Sequence, residues 1–194
     1  MKLHQIFFMA RYMLHLQNNG YSPTNSLNLV HKARELCSKI DASIRVARVA
    51  TNFVEFDVDV DEERLDIVVE TLSPIGRLVN ARHIVEEEIE KDDGLKDGIF
   101  YFNNERFWES HEALEGVWKK CSGKEKELVQ GLILVAVAFA HSQKNDDTIG
   151  IGVLSRAIEK LGTSPADYQN IDVYRIRNKV KEMKKNNELT LFQI

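Results

Sequence analysis

The chain has 194 residues, 43% hydrophobic and 29% charged, which is the composition of one large or two small globular domains and excludes a disordered, collagenous or coiled-coil chain. Its 26 basic and 30 acidic side chains give a formal charge of −4, so no overall positive field draws it to nucleic acid or anionic lipid. Two cysteines, Cys37 and Cys121, stand far apart and outside any Cys-x-x-Cys pair, which suggests neither a disulfide framework nor a zinc site.

The start, Met1 to Arg11, holds a short apolar run stopped by Arg11 and has no small-residue cleavage site, so no secretory signal is read there. Tyr12 to Gln17 alternates with period two and ends at Asn18-Asn19-Gly20, which predicts a strand. Ser22-Pro23 opens a helix through Leu27, Val30, Ala33 and Cys37 to about Ile40, with Ser22 as cap and Pro23 at the first position. Two strands follow, Ile44 to Ala50 and Phe53 to Val60, joined by a tight turn at Thr51-Asn52; in the second, Val54, Phe56, Val58 and Val60 share one face. A helix from Glu62 to Leu72 and a strand from Leu78 to Val85 complete the order strand, helix, strand, strand, helix, strand, a ferredoxin-like split βαβ unit over residues 1–90. The other face of its sheet is expected to carry His15, Gln17, Arg45, Glu55, Asp57 and Asp59 outward. Phe53 is the one aromatic candidate there, so a stacking platform for RNA is not favoured. This sheet reads as a packing module, through which the chain could form a homo-oligomer.

Glu86 to Gly94 is a charge run with glycine and is read as a solvated connection, with the domain boundary inside it. Residues 91–194 are helical in rhythm, the second domain of an α+β chain. A short apolar piece, Ile99 to Phe102, stops at Asn103-Asn104, and a helix is expected from Glu105 to Lys120. Ser122 with Glu125 reads as a capping box for a helix to Gln143. That helix contains the most apolar stretch, Leu128 to Ala140, shorter than the about 20 residues a membrane span needs, so it reads as a core helix. With no span and no secretory signal, a cytoplasmic protein is expected. A third helix carries Ile151, Leu154, Ile158 and Leu161 to Gly162. Ser164-Pro165 restarts a short one, and a last runs from Asp172 to Asn186. In that last helix Ile176 and Val180 should pack inward. Arg175, Arg177, Lys179, Lys181, Lys184 and Lys185 should face water, giving at most weak, salt-sensitive contact with nucleic acid.

The informative segment is Phe107-Trp108-Glu109-Ser110-His111-Glu112-Ala113-Leu114-Glu115-Gly116-Val117-Trp118. At about 100° per residue, His111 falls within the stripe formed by Phe107, Leu114 and Trp118, and Glu115 lies one turn on, within reach of it. Ionisable groups in an apolar stripe must be paired. An antiparallel hairpin with its turn near Ser122 brings Gln130 level with Glu115 and His141 level with Asn104. The network candidates are therefore Trp108, His111, Glu115, Trp118, Gln130 and His141.

Three uses stay open. One is a hydrogen-bonded network that sets the hairpin's register. The second is a metal site with His111 and Glu115 as ligands, though His-Glu-x-x-Glu lacks the second histidine of zinc peptidases and the second helix of di-iron bundles. The third is an acid–base pocket in which Glu112 or Glu115 works with His111. A nucleophile elbow, P-loop, dinucleotide fingerprint and Ser/His/Asp signature are lacking, and no cofactor is indicated.

At these residues the chain resembles the family known as domain of unknown function 309. The motif is Phe102-Asn103 leading into Phe107 to Glu115 and Trp118, then Gln130-Gly131-Leu132-Ile133, Ala136, Ala138, His141 and Asn145. The resemblance covers about Leu95 to Ile171. It departs where the family favours glycine and Asn104-Glu105 stands here, and at Gly150-Ile151 where the family favours Gly-Ala. It implies a compact all-helical domain with no assigned role. Two functional readings follow from the residues: a non-enzymatic binding or assembly module with a structural His/Glu/Gln network, or a hydrolase-like or metal-binding protein using His111, Glu112 and Glu115.

Overall fold

A computed structural model describes residues 9–85, 88–162 and 164–194. Most of the apolar run near the start, and Glu86 and Glu87 of the acidic run, lie outside these. The chain divides into two compact units, Met1–Glu86 and Glu87–Ile194.

The first unit contains β1 (Ala10–Gln17), α1 (Ser26–Leu36), β2 (Ala42–Val49), β3 (Phe53–Val60), α2 (Leu65–Leu72) and β4 (Leu78–Ile84). Its four strands form an antiparallel sheet in the order β2-β3-β1-β4. That order, with two helices in the βαββαβ sequence, is compatible with the ferredoxin-like arrangement. Pro23 opens a 3-10 turn, Pro23–Asn25, and the Ser22 backbone N–H is taken by Asn25 Oδ1 at 2.8 Å before α1 begins. Tyr12, Leu14, Leu16, Val54, Phe56, Val58 and Val60 form one face of the sheet and pack with Leu29, Val30 and Ala33 of α1 and Val68 and Leu72 of α2. Each such aliphatic side chain withdrawn from water contributes about 1.5–3 kcal/mol. The β1–β4 register shifts between His15 and Leu16. There Gly76 lies against the strand: a Cβ on it would stand 2.2 Å from the Gln17 carbonyl oxygen, so only glycine fits.

The opposite face differs from the sequence expectation. His15, Glu55 and Asp57 are buried rather than turned to water, and Arg48 is buried beside them. Each is paired across strands: Arg11 holds Asp57 with two bonds of 2.9 and 2.7 Å, and Glu55 receives Arg48 on one oxygen and His15 Nε2 at 3.0 Å on the other. Arg48, Glu55, His15 and Asn80 are register partners, so one polar row crosses all four strands.

The second unit contains α3 (Lys91–Asn103), α4 (Phe107–Lys119), α5 (Gly123–Ser142), α6 (Asp147–Gly162) and α7 (Val173–Asn186), with a two-residue ribbon, β5 (Asp167–Tyr168) and β6 (Ile171–Asp172). Helix α3 corrects the sequence reading, which took Lys91 to Gly94 as a connection. Its glycines suit close packing: a Cβ on Gly98 would stand 2.7 Å from Leu114, and one on Gly94 3.0 Å from Val117, so α3 can approach α4 tightly. The ribbon is a second correction, since a short helix was expected after Ser164-Pro165. Gln169 and Asn170 both take positive φ and reverse the chain, and the Tyr168 hydroxyl is held 2.9 Å from Glu125.

Helix α5 is buried on nearly all sides, from Leu128 to Phe139, and packs on α4 and α6. Gly150 meets it closely, since a Cβ there would stand 2.6 Å from the Ala138 carbonyl oxygen. Ile176, Val180 and Met183 of α7 are buried, while Arg175, Lys181, Lys184 and Lys185 are exposed and Lys179 is half-buried. No helix among the described residues is long and apolar enough to cross a membrane.

Candidate functional site

Helix α4 lies between α3 and α5. Its buried side chains are Phe107, Glu109, Ser110, Leu114 and Val117, a stripe rotated from the one expected around His111. The rotation follows from α3: Ser110 Oγ donates to the Gly98 carbonyl at 2.8 Å, and Leu114 covers Gly98. Glu109 is fully buried and held by two bonds from Arg106. His111 is therefore half-buried at the rim, and the Glu112 and Glu115 side chains are 43% and 46% exposed.

These three residues meet. His111 Nδ1 is 3.2 Å from Glu112 Oε1, and Nε2 is 3.1 Å from Glu115 Oε1. Burial lowers the imidazole's proton affinity, but the two carboxylates outweigh it and the pKa is raised above its usual value. In its protonated form His111 donates from both ring nitrogens, one to each acid. One donor atom from each residue also lies within 4.8 Å of the others, the spacing a metal ion would use.

No direct hydrogen bond joins Glu115 to Gln130 among the described residues; the Glu115 carboxylate is taken by His111. His141 sits at the end of α5 with Asp146 Oδ2 3.8 Å from Nδ1, in the same turn as Lys144. Trp118 packs on the core with Lys126 Nζ 3.9 Å from its ring centroid, and its buried Nε1 has no hydrogen-bond partner among the described residues. Trp108 is half-buried.

A second polar cluster escaped the sequence reading. Glu125 accepts from Lys91 Nζ at 2.6 Å and from the Tyr168 hydroxyl at 2.9 Å, and interacts with Cys121. Lys91 holds the Glu125 carboxyl below its usual range, while burial and Glu125 push the Tyr168 phenol well above its own. Burial pushes the Cys121 thiol up, the direction opposite to that of an activated thiolate. These partners come from 34 and 43 residues away, and the local signal at Ser122–Glu125 reads as a capping box. No side-chain cap is formed by Ser122. A shallow cavity of about 160 Å³ lies beside this cluster, lined by Asp92, Leu95, Lys96, Ile99, Gln169 and Asn170.

Residues 95–153 match the family model described as "Domain of unknown function (DUF309)", and the N-terminal half lies outside the match. A curated protein of Aquifex aeolicus (strain VF5), named "Uncharacterized protein", is 28% identical over 90 residues, 46% of this chain and 27% of that protein. The alignment thus spans about a quarter of the relative's length. Within the matched region, Glu105 has φ of +59° and its carbonyl accepts from Gln143 Nε2 at 2.7 Å. It occupies a left-handed position that glycine would take without strain, as the resemblance leads one to expect.

Proposed function

We propose that this chain is a non-enzymatic binding or assembly module of the cytoplasm, made of a ferredoxin-like α+β domain over residues 1–90 and a helical DUF309-like domain over residues 91–194. The supporting observation is the pairing of both His111 nitrogens, at 3.2 and 3.1 Å, with carboxylates of its own helix. An imidazolium that donates twice has no lone pair for a metal ion or for an incoming proton. Its raised pKa favours that state. The cytoplasmic assignment is supported by Cys37 and Cys121, both buried free thiols.

Metal analysis of the purified protein, before and after equilibration with zinc or manganese, tests the reading. The expected content is far below one ion per chain and unchanged in His111→Ala. A second reading, a metal-binding or hydrolase-like site on His111, Glu112 and Glu115, is favoured by their mutual approach within 4.8 Å and the exposure of both glutamates. A stoichiometric transition metal that is lost in His111→Ala would establish it and remove the first. The compartment is tested by cell fractionation, with the chain expected in the cytosolic fraction.

A further inference from the structure

Helix α7 ends at Asn187, which caps it in the left-handed conformation (φ +55°). The segment that follows, residues 188–194, has no regular secondary structure, and Glu188, Thr190, Leu191 and Gln193 are exposed. Only Leu189, Phe192 and Ile194 turn inward onto the core of the helical unit. The Phe192 ring stands edge-on to Phe102 at 5.5 Å and tilted to Phe139 at 5.9 Å, two members of an aromatic cluster completed by Phe107. Asn103 holds the end of the segment by its backbone alone: Nδ2 donates to the Ile194 oxygen at 3.0 Å, and Oδ1 accepts from the Ile194 N–H at 2.8 Å.

A side-chain amide that both donates to and accepts from one residue's backbone copies the pairing of a neighbouring strand. It recognises a peptide without regard to sequence, while an aromatic socket beside it supplies the selectivity. Phe102, Asn103, Phe107 and Phe139 all lie within residues 95–153, the part that matches the family model, and the segment they hold lies outside it. The grip on the segment's backbone is otherwise slight, at a Glu188 N–H to the Met183 carbonyl and a Thr190 N–H 3.4 Å from the Met183 sulfur.

We infer that Phe102, Asn103 and Phe139 form a peptide-binding groove, occupied here by the chain's own residues 188–194, that takes a non-helical segment of a partner protein with the same anchors. Those anchors are an aromatic residue, an aliphatic one three positions before it and another two positions after, as Leu189, Phe192 and Ile194 stand here. The chain's own segment is then a tethered competitor that sets how readily the partner enters. This inference rests on the binding-module reading and names its partner.

The test uses a fluorescent peptide with the sequence of residues 187–194. It is titrated into the wild-type chain, into Phe192→Ser, and into a chain ending at residue 186. A tethered segment competes at millimolar effective concentration, so both variants should bind the peptide at least about tenfold more tightly than wild type. Loss of the aromatic anchor in a Phe192→Ala peptide should weaken binding by about tenfold or more. Asn103→Ala in the Phe192→Ser chain should weaken it while the circular dichroism stays native. Hydrogen exchange on the unaltered chain is the companion measurement: amides of residues 188–194 should exchange far faster than those of α5.

No peptide binding to natively folded variants, binding indifferent to the Phe192→Ala peptide, or a wild-type dimer held by exchanged segments would overturn the inference. Exchange protection in residues 188–194 equal to that of α5 would overturn it even if both variants fail to fold. A failed titration with no metal at His111 leaves the module reading standing without this partner, whereas a His111-dependent metal removes the reading itself.

Discussion

The two units place their ionic groups differently. In the sheet unit Glu55 is buried and joins three strands, with Arg48 on β2 and His15 on β1, so its pairing exists only when the register is correct. In the helical unit His111, Glu112 and Glu115 lie within five positions of one helix and meet as soon as α4 forms, with both acids near half exposure. The first arrangement specifies a fold and is costly to break. The second contributes little to stability, since the helix and the solvent supply most of what it needs. A cluster that the fold does not require is also one that can be given to a binding surface.

The largest expected contrast is Glu55→Ala. It removes the carboxylate that Arg48 and His15 share across the strands and should cost about 3–5 kcal/mol in urea denaturation, with loss of sheet signal at lower urea. A cost near that of a surface pair would show that the polar row does not hold the register. The helical unit should be more sensitive to close packing than to charge. Gly150→Ala places a methyl group 2.6 Å from the Ala138 carbonyl and should cost about 1–3 kcal/mol by the same measurement.

His111→Ala and Glu115→Ala should each cost under about 1 kcal/mol. The His111 contribution has a definite pH dependence. Its folded pKa is raised, so its stabilisation is fully present below the ordinary histidine value of about 6.5 and is lost as pH rises through the folded value. The stability difference between wild type and His111→Ala should therefore shrink from about pH 6 to pH 9. Glu125, with its lowered pKa, behaves oppositely: its stabilisation is present above the ordinary carboxylate value and is lost as pH falls through the folded one. Glu125→Gln should flatten the acid limb of the stability profile. The smallest effect is a gain. Glu105→Gly relieves a left-handed backbone and should raise stability by about 0.5–1 kcal/mol, read as a small rise in melting temperature.

The strands were legible because Val54, Phe56, Val58 and Val60 alternate with Glu55, Asp57 and Asp59, a pattern that only a sheet with one apolar face explains. The His111–Glu115 contact was legible as a four-residue spacing on a helix. Helix α3 was not, because Gly94 and Gly98 weaken helix propensity locally. Its stability comes from the close approach to α4 that those same glycines permit. The partners of Glu125 were not, since Lys91 and Tyr168 are distant in sequence and the nearby Ser122 offers a plausible local role.

By itself the sequence determined the strongly periodic segments: the four strands of the sheet, the helices other than α3, and which residues one turn apart on α4 meet. These depend on backbone geometry and neighbours a few residues away. Tertiary structure alone decided which face of α4 is buried. The stripe turned from His111 to Ser110 because α3 packs against it. It also decided that His15, Arg48, Glu55 and Asp57 on the charged face of the sheet are paired and buried, and that residues 188–194 close over Phe102 and Phe139. Burial is set by what covers a surface, and the covering side chains come from parts of the chain that no local pattern connects.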